Sequence, residues 1–295
     1  WRENKFKNCI RQNAKFTKMI FDKFRLVEKL INIAIDEDLK HGDPSSEIIY
    51  SNPRSNYCLL LKEDAVISGI EVFKYIFKKI DNDIEFVNFK EDSFYGKGII
   101  GNVIGNESSI LSAERTALNF LQRMSSVASS TNNLKKLINN EKVELIDTRK
   151  TIPGWRILDK YSVLVGGGKN HRMNLGELIM IKDNHYDEKN LSKIIENGKS
   201  KFPELKIEIE VENTTQLNKV MDEDVDIIML DNWSLETVGE AIKTIRDKNK
   251  DILIELSGGI NKENIADYAK YSPDFISSGS ITHSPKSIDF SLEKN

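Results

Sequence analysis

Residues 206–260 read KIEIEVENTTQLNKVMDEDVDIIMLDNWSLETVGEAIKTIRDKNKDILIELSGGI, and this stretch decides the fold. Its three apolar runs, KIEIEVE, DIIMLD and ILIELSG, have the length and the β-branched content of buried strands. Helical segments lie between them, and Asn213 and Ser234 stand where N-cap residues belong. Strands that alternate with helices in this way predict βα units and a parallel sheet.

Three more apolar runs continue this alternation, because VELID and ELIMIK precede the stretch and DFISSG follows it. Six strands of this kind predict a C-terminal (β/α) barrel. We expect the barrel to be open or incomplete, since eight strands cannot be counted. The predicted fold class is therefore α/β, with this barrel as its C-terminal domain.

The first half of the chain has a different pattern. Apolar residues between Met19 and Leu39 recur at the spacing of an amphipathic helix, and a longer helical pattern runs from Ser112 to Leu137. Short strand-like runs between them, YCLLL, AVISG, IEFVNF and GIIGNVIG, are separated by turn-forming residues. This pattern predicts an N-terminal α+β sandwich domain with an antiparallel sheet.

The domain boundaries follow from these patterns. We expect a disordered lead-in at 1–18, the N-terminal α+β domain at 19–138 and the barrel domain at 139–280. The C-terminal tail at 281–295 is expected to pack back on the N-terminal domain.

Composition excludes several classes of function. A formal net charge of −3 and a pI near 6.0 argue against a nucleic-acid partner, which usually needs a strongly basic face. Two cysteines are too few for a disulfide framework, and no apolar stretch approaches the length of a membrane span. The expected location is cytoplasmic, with no membrane association.

One short segment is rich in cations. Between Asp147 and His185 each cation follows an apolar run or a glycine, where a strand ends and a loop begins. These cations are Arg149, Lys150, His171, Arg172 and Lys182. Since arginine offers a rigid fork to carboxylates and phosphates, the segment predicts a binding site for a small ligand with several negative charges.

Polar residues also end the other predicted strands. Glu210 and Asp231 are suited to hold a hard divalent cation or to stabilise a developing positive charge, and the SGG and SGS turns are suited to hold a phosphate. A magnesium-bridged pyrophosphate, a ribose and an acidic acceptor together fit these groups. The residues thus predict phosphoribosyl transfer to an acidic acceptor.

The motifs DTRKT, GGGKNHR, IKDNH, MLDN, SGGI and GSITHS occur in one order, and EDLKHGD and ERTALNFLQRMS precede them. In this respect the chain resembles the quinolinate phosphoribosyltransferase family over nearly its whole length. The resemblance implies that quinolinate and phosphoribosyl pyrophosphate react with Mg²⁺ to give nicotinate mononucleotide, CO₂ and pyrophosphate in NAD biosynthesis. It also implies a homodimer or a higher homo-oligomer with shared active sites.

The resemblance assigns roles to particular residues. Arg149, His171, Arg172 and Lys182 would hold the quinolinate carboxylates, joined by Arg115 from a partner subunit. Lys150 would act on the pyrophosphate side, while Glu210 and Asp231 would lie near the ribose and the magnesium, either directly or through water. Ser257, Gly258 and Gly279 would form the 5′-phosphate pocket, with His283 behind them. Lys150, Glu210 and Asp231 are the expected catalytic residues.

Other interpretations remain open from the residues alone. Glu208, Glu210 and Glu212 share one face of a strand, which can simply be a solvated face. The chain departs from the family at SSVASS and at Trp155, which leaves a related phosphoribosyltransferase that uses another aromatic acid or a nucleobase as the alternative. A binding or scaffold protein with the same fold is the third possibility.

Overall fold

A computed structural model describes residues 24–49, 53–182 and 190–295. The predicted lead-in at 1–18 and His185 lie outside the described residues. Among the described helices, none is both long and apolar enough to cross a membrane. In chain order the elements are α1 (Phe24–Leu39), α2 (Pro44–Ile49), β1 (Arg54–Leu61), β2 (Ala65–Val66), α3 (Ile70–Ile80), β3 (Glu85–Val87), β4 (Phe94–Tyr95), β5 (Gly98–Asn106), α4 (Glu107–Ile138), β6 (Glu144–Ile146), α5 (Arg156–Val165), β7 (Ile179–Ile181), α6 (Leu191–Lys201), β8 (Ile207–Val211), α7 (Thr214–Val220), β9 (Ile227–Asp231), α8 (Leu235–Lys248), β10 (Leu253–Ser257), α9 (Ile265–Ala269), β11 (Phe275–Ser277), α10 (Ser280–His283) and β12 (Phe290–Lys294).

The chain forms two compact units. The first contains the residues up to 130, together with 152–167 and 285–295, and the second contains 131–151 and 168–284. The sequence predicts one boundary between the two domains, after residue 138. In the structure the chain crosses between the units more than once, because α5 belongs to the first unit although it follows β6 of the second.

The first unit is built on an antiparallel sheet with the strand order β12, β1, β5, β3. The C-terminal strand β12 pairs with β1 so that Leu292 lies opposite Leu59. Apolar side chains from this sheet pack with those of α3, and Phe73 and Phe77 are fully buried. An α+β domain with an antiparallel sheet is what the sequence predicts.

Two serines of the SSVASS segment in α4 hold the edge of a short strand. The Ser129 hydroxyl accepts a hydrogen bond from the Val66 N–H, and Ser125 accepts one from the Ser68 N–H. Each hydroxyl also lies near the carbonyl of the residue whose N–H it accepts, at 3.3 Å for Ser129 and Val66 and at 3.4 Å for Ser125 and Ser68. The serines therefore satisfy buried backbone groups that lack a neighbouring strand.

The second unit contains a six-stranded parallel sheet with the order β6, β11, β10, β9, β8, β7. A single parallel bridge between Ile146 and Lys169 extends its β6 edge. The six predicted strands are confirmed, and among the described residues the sheet does not close. Helix α7 begins as predicted, because the Asn213 side chain accepts the Gln216 N–H at 3.0 Å.

The register of this sheet arranges inward side chains in layers. Glu210 of β8, Met229 of β9 and Glu255 of β10 are neighbours across the strands. Two residues further along, Asp231 lies beside Ser257. Since side chains alternate between the faces of a strand, these residues share one face, with the last pair at the carboxyl ends of the strands.

Candidate active site

A pocket of about 360 Å³ opens at the carboxyl ends of the strands of the second unit. It brings together most of the residues that the sequence singles out. Its lining consists of Asp147, Thr148, Arg149, Lys150, His171, Arg172, Met180, Lys182, Glu210, Met229, Asp231, Glu255, Ser257 and Ser277.

Asp147 fixes the two loops that supply the cations. Its carboxylate is fully buried and accepts the His171 N–H at 2.9 Å and the Asn170 amide at 2.6 Å. The backbone adds a further link, because the Asp147 N–H donates to the Lys169 carbonyl. A buried carboxylate of this kind therefore holds the loop after β6 against the loop that carries Arg172.

Arg149 and Arg172 place two positive charges in the same pocket. Burial, together with repulsion by the Arg149 guanidinium, lowers the pKa of Arg172. The Arg172 guanidinium donates to the Leu178 carbonyl at 2.9 Å and contacts the Met180 sulfur at 3.4 Å. Two like charges held close together favour an anionic ligand, which would relieve their repulsion.

Beneath these cations lies a buried cluster that sequence reasoning missed. His171 Nε2 is 2.9 Å from Glu208 and 3.5 Å from Glu255, and both glutamates are almost inaccessible to solvent. Burial and the nearby Glu255 carboxylate raise the pKa of Glu208 to about 7. The sequence holds a partial signal only at Glu255, which stands alone within the apolar run ILIEL, where an unpaired charge is costly.

Acidic groups form a second cluster, of which Glu210 and Asp231 line the pocket. Carboxylate oxygens of Glu210, Glu212 and Asp231 lie within 4.8 Å of one another. Lys182 forms an ion pair with Glu210, and the Asn232 amide donates to Asp231 at 2.7 Å. A set of hard oxygen ligands at this spacing suits a divalent cation such as Mg²⁺.

The alternative of a solvated face is wrong for part of β8. Glu208 is fully buried and Glu210 is 7% exposed, whereas Glu212 is exposed. Position along the strand explains the difference, because both faces of a parallel sheet are buried, whereas Glu212 follows the carboxyl end of β8 at Val211.

A smaller pocket of about 190 Å³ shares Thr148, Lys150, Ser257 and Ser277 with the first. The SGG and SGS turns form most of its remaining wall, and the predicted residues Gly258, Gly279 and His283 line it. A side chain on Gly279 would press on Lys150 at 3.0 Å and on His283 at 3.1 Å. Glycine therefore leaves the backbone accessible, as a phosphate-binding turn requires.

The Lys150 backbone is anchored at the junction of these pockets. The Thr282 hydroxyl donates to the Lys150 carbonyl at 2.9 Å, and the Lys150 N–H donates to the Thr148 hydroxyl at 3.0 Å. The side chain of Lys150 lines both pockets.

Two sequence features are not part of this pocket. Arg115 is exposed on α4 in the first unit and does not line either pocket. Trp155, where the chain departs from the family pattern, also belongs to the first unit, and its ring packs against Phe120 with 4.5 Å between the centroids.

Comparison with known proteins matches the chain to one family. The model of the quinolinate phosphoribosyl transferase C-terminal domain matches residues 127–293, and that of the N-terminal domain matches residues 43–125. The chain belongs to the quinolinate phosphoribosyltransferase family. The resemblance seen in the sequence is thus confirmed.

Individual relatives of this family are similar over most of their length. The chain is 36% identical to a probable nicotinate-nucleotide pyrophosphorylase (carboxylating) of Methanocaldococcus jannaschii, covering 90% of this chain and 96% of that protein. A protein of the same name from Bacillus subtilis is 34% identical, with 90% and 93% covered. The solved nicotinate-nucleotide pyrophosphorylase of Francisella tularensis superimposes with a TM-score of 0.87 at 35% identity, covering 92% and 96% of the two chains. The fold predicted from the sequence is confirmed by this structure.

Proposed function

We propose that this chain transfers the phosphoribosyl group of phosphoribosyl pyrophosphate to quinolinate, with decarboxylation, and forms nicotinate mononucleotide, CO₂ and pyrophosphate for NAD biosynthesis. One observation carries the proposal. A single pocket combines the guanidiniums of Arg149 and Arg172 with the carboxylates of Glu210 and Asp231, and it shares Lys150 with a glycine-lined pocket. Family membership supports the same activity.

The acceptor would bind to the cations. Quinolinate has two adjacent carboxylates, and two arginine forks can each bind one carboxylate through paired hydrogen bonds. Arg149 and Arg172 repel one another in the pocket, so a dianion fits them better than an acceptor with a single carboxylate. Lys182, which forms an ion pair with Glu210, would add a third cation for the acceptor.

The phosphoribosyl donor would occupy the rest of the two pockets. Ser257, Gly258 and Gly279 would receive the 5′-phosphate, with His283 at the wall of the same pocket. Lys150 lines both pockets and would stabilise the negative charge of the departing pyrophosphate.

The acidic cluster fits a magnesium ion, and Glu210 and Asp231 are the residues that would hold it. Mg²⁺ prefers oxygen ligands and binds commonly through one or two carboxylates and substrate phosphates. When bound, it would neutralise the charge of the pyrophosphate group.

The reaction would then depend on positioning and charge. As the bond between ribose C1 and the pyrophosphate oxygen breaks, positive charge develops at C1 near Glu210 and Asp231. The quinolinate nitrogen, held in place through Arg149 and Arg172, forms the new bond to C1. The resulting positive ring accepts the electron pair of the bond to the adjacent carboxylate, which leaves as CO₂, and a proton takes its place.

The test is a direct assay. Purified protein is incubated with phosphoribosyl pyrophosphate, Mg²⁺ and either quinolinate or nicotinate, and nicotinate mononucleotide and CO₂ are followed by mass spectrometry. Product from quinolinate alone is expected. Turnover of another aromatic acid or a nucleobase, without turnover of quinolinate, would favour the alternative phosphoribosyltransferase, and no turnover in a folded sample would favour a scaffold.

The proposal includes a cytoplasmic homodimer or larger homo-oligomer in which Arg115 of a partner subunit completes the acceptor site. Arg115→Ala and Arg172→Ala variants should each be inactive. If sites are shared, mixing the two and allowing subunits to exchange should restore part of the activity, whereas sites within one subunit would give no recovery.

A further inference from the structure

His171, Glu208 and Glu255 form a buried charged cluster at the base of the pocket, which His171 and Glu255 line. Glu208 is 0% exposed and Glu255 is 1% exposed, and His171 Nε2 faces one carboxylate oxygen of each, at 2.9 and 3.5 Å. Among the described residues, the other oxygen of each carboxylate has no hydrogen-bond partner. Because buried acids without full hydrogen bonding destabilise a fold, this arrangement requires a reason other than stability.

The imidazole of His171 contacts protein groups through both ring nitrogens. Nε2 faces the two glutamates, while Nδ1 accepts the backbone N–H of Arg172 at 2.7 Å. The backbone N–H of His171 itself donates to Asp147 at 2.9 Å. The ring therefore connects the buried acids to the main chain at Arg172.

The contacts of His171 decide which of its ring nitrogens carries a proton. Burial opposes a charge on His171, whereas its contacts with Glu208 and Glu255 favour a proton on Nε2. An acceptor position for Nδ1 requires that this nitrogen carry no proton. Because Nδ1 accepts the Arg172 N–H at 2.7 Å, the ring proton lies on Nε2, which faces the two glutamates.

The main chain at Arg172 needs such an anchor. Its guanidinium is held in the pocket against repulsion from Arg149, and it contacts Leu178 and Met180. A small displacement of its backbone would change where the guanidinium fork meets a carboxylate, and bidentate hydrogen bonding depends strongly on geometry.

We propose that Glu208 and Glu255 are positioning residues which, through His171, fix the main chain of Arg172 and so set the place of the acceptor carboxylate. The two glutamates would thereby also fix the orientation of the His171 ring, which lines the acceptor pocket. This inference rests on the proposed function and names residues that the sequence did not assign to it.

Steady-state kinetics test the inference with Glu208→Gln and Glu255→Gln, which keep the side-chain volume. The matched control is Glu144→Gln, on β6 of the same sheet, where the glutamate is bound by Lys135 and Lys169 and does not line the pocket. For both test variants we expect the KM for quinolinate to rise about tenfold to a hundredfold, with the KM for phosphoribosyl pyrophosphate changed by less than about twofold. Unchanged values, or an equal rise in both KM values, would overturn the inference, and the control should match the parent protein.

Nitrogen NMR of ¹⁵N-labelled histidine gives a second measurement that does not depend on turnover. The sequence has four histidines, so the His171 signal can be assigned with a His171→Gln variant. We expect Nε2 protonated and Nδ1 unprotonated in the parent protein, with this pattern retained when quinolinate is added and lost in Glu208→Gln. A Nδ1 that carries a proton in the parent protein, or a protonation pattern that is unchanged in Glu208→Gln, would refute the positioning role.

The two measurements separate the two proposals. A parent protein that does not turn over quinolinate contradicts the proposed function, whatever the state of His171. A parent protein that does turn it over, with Glu208→Gln and Glu255→Gln variants that are fully folded and kinetically unchanged, contradicts only the positioning role.

Discussion

Substitution of alanine at Gly258 and at Gly259 tests the geometry of the SGG turn. Both glycines have positive φ, +90° at Gly258 and +61° at Gly259. A Cβ at Gly258 would lie 2.5 Å from the backbone nitrogen of Asn232, whereas one at Gly259 would meet nothing within 4 Å. The two variants thus share the backbone strain and differ in the collision.

The expected magnitudes follow from these two terms. A left-handed conformation costs an L-residue about 1–2 kcal/mol, so Gly259→Ala should lower the free energy of unfolding by that amount. Gly258→Ala adds the collision with a backbone atom, and overpacking of this kind costs about 1–3 kcal/mol more. Since each kcal/mol shifts the Tm of a domain of this size by about 2–4 °C, the Tm of the two variants should differ by at least that much.

Thermal unfolding by calorimetry, with the parent protein and both variants in one buffer, provides the measurement. The KM for phosphoribosyl pyrophosphate should also rise more in Gly258→Ala than in Gly259→Ala. Relief of the collision would displace Asn232, whose side chain donates a hydrogen bond to Asp231. Equal Tm values for the two variants would refute the close approach of Gly258 to Asn232 on which the reasoning depends.

Three further predictions concern other parts of the second unit. Asp147→Ala leaves two partly buried donors without their acceptor, so its free energy of unfolding should fall by about 1–3 kcal/mol in denaturant titrations, and no loss would contradict the clamp. Lys150→Ala should lower kcat at least about tenfold without a change in Tm, which steady-state assays and thermal unfolding together measure. Burial raises the pKa of Glu144, but Lys135 and Lys169 outweigh this and lower it below 4.5, so its contribution is complete above pH 4.5 and is lost as the pH falls further. Glu144→Gln should therefore have a weaker loss of Tm between pH 5 and pH 3 than the parent protein, and an identical pH profile would count against these ion pairs.

The sequence predicts the parallel sheet well because two local signals, the apolar runs and the residues at helix starts, agree. Apolar runs of strand length alternate with helical segments, and residues such as Asn213 stand at the expected helix start. The first unit is predicted less closely. AVISG and IEFVNF contain strands of only two and three residues. The strand within IEFVNF ends at Val87, because the next residue, Asn88, has a φ of +56° and so leaves the extended conformation.

The charged site is predicted in part. Cations in loops, such as Arg149 and Arg172, can be recognised because each follows a strand or a glycine. The role of Glu208 and Glu255 cannot be recognised in this way, because a period of two assigns residues to a face but does not tell whether that face is solvated or buried. Only the register of β8, β9 and β10 brings the two glutamates near the same histidine.

The distribution of charge explains how a chain with a net charge of −3 can bind a polyanion. The acids of the site lie on strands, where hydrogen bonding within the sheet fixes their positions, and the cations lie on the loops that follow. Acids within the strands, such as Glu208 and Glu255, can therefore fix a loop from below while its cations face the pocket. The same acids limit the positive charge that the loops accumulate before a ligand binds. An anion site built in this way depends on local geometry and not on net charge, so its affinity should fall less with added salt than that of a basic surface patch.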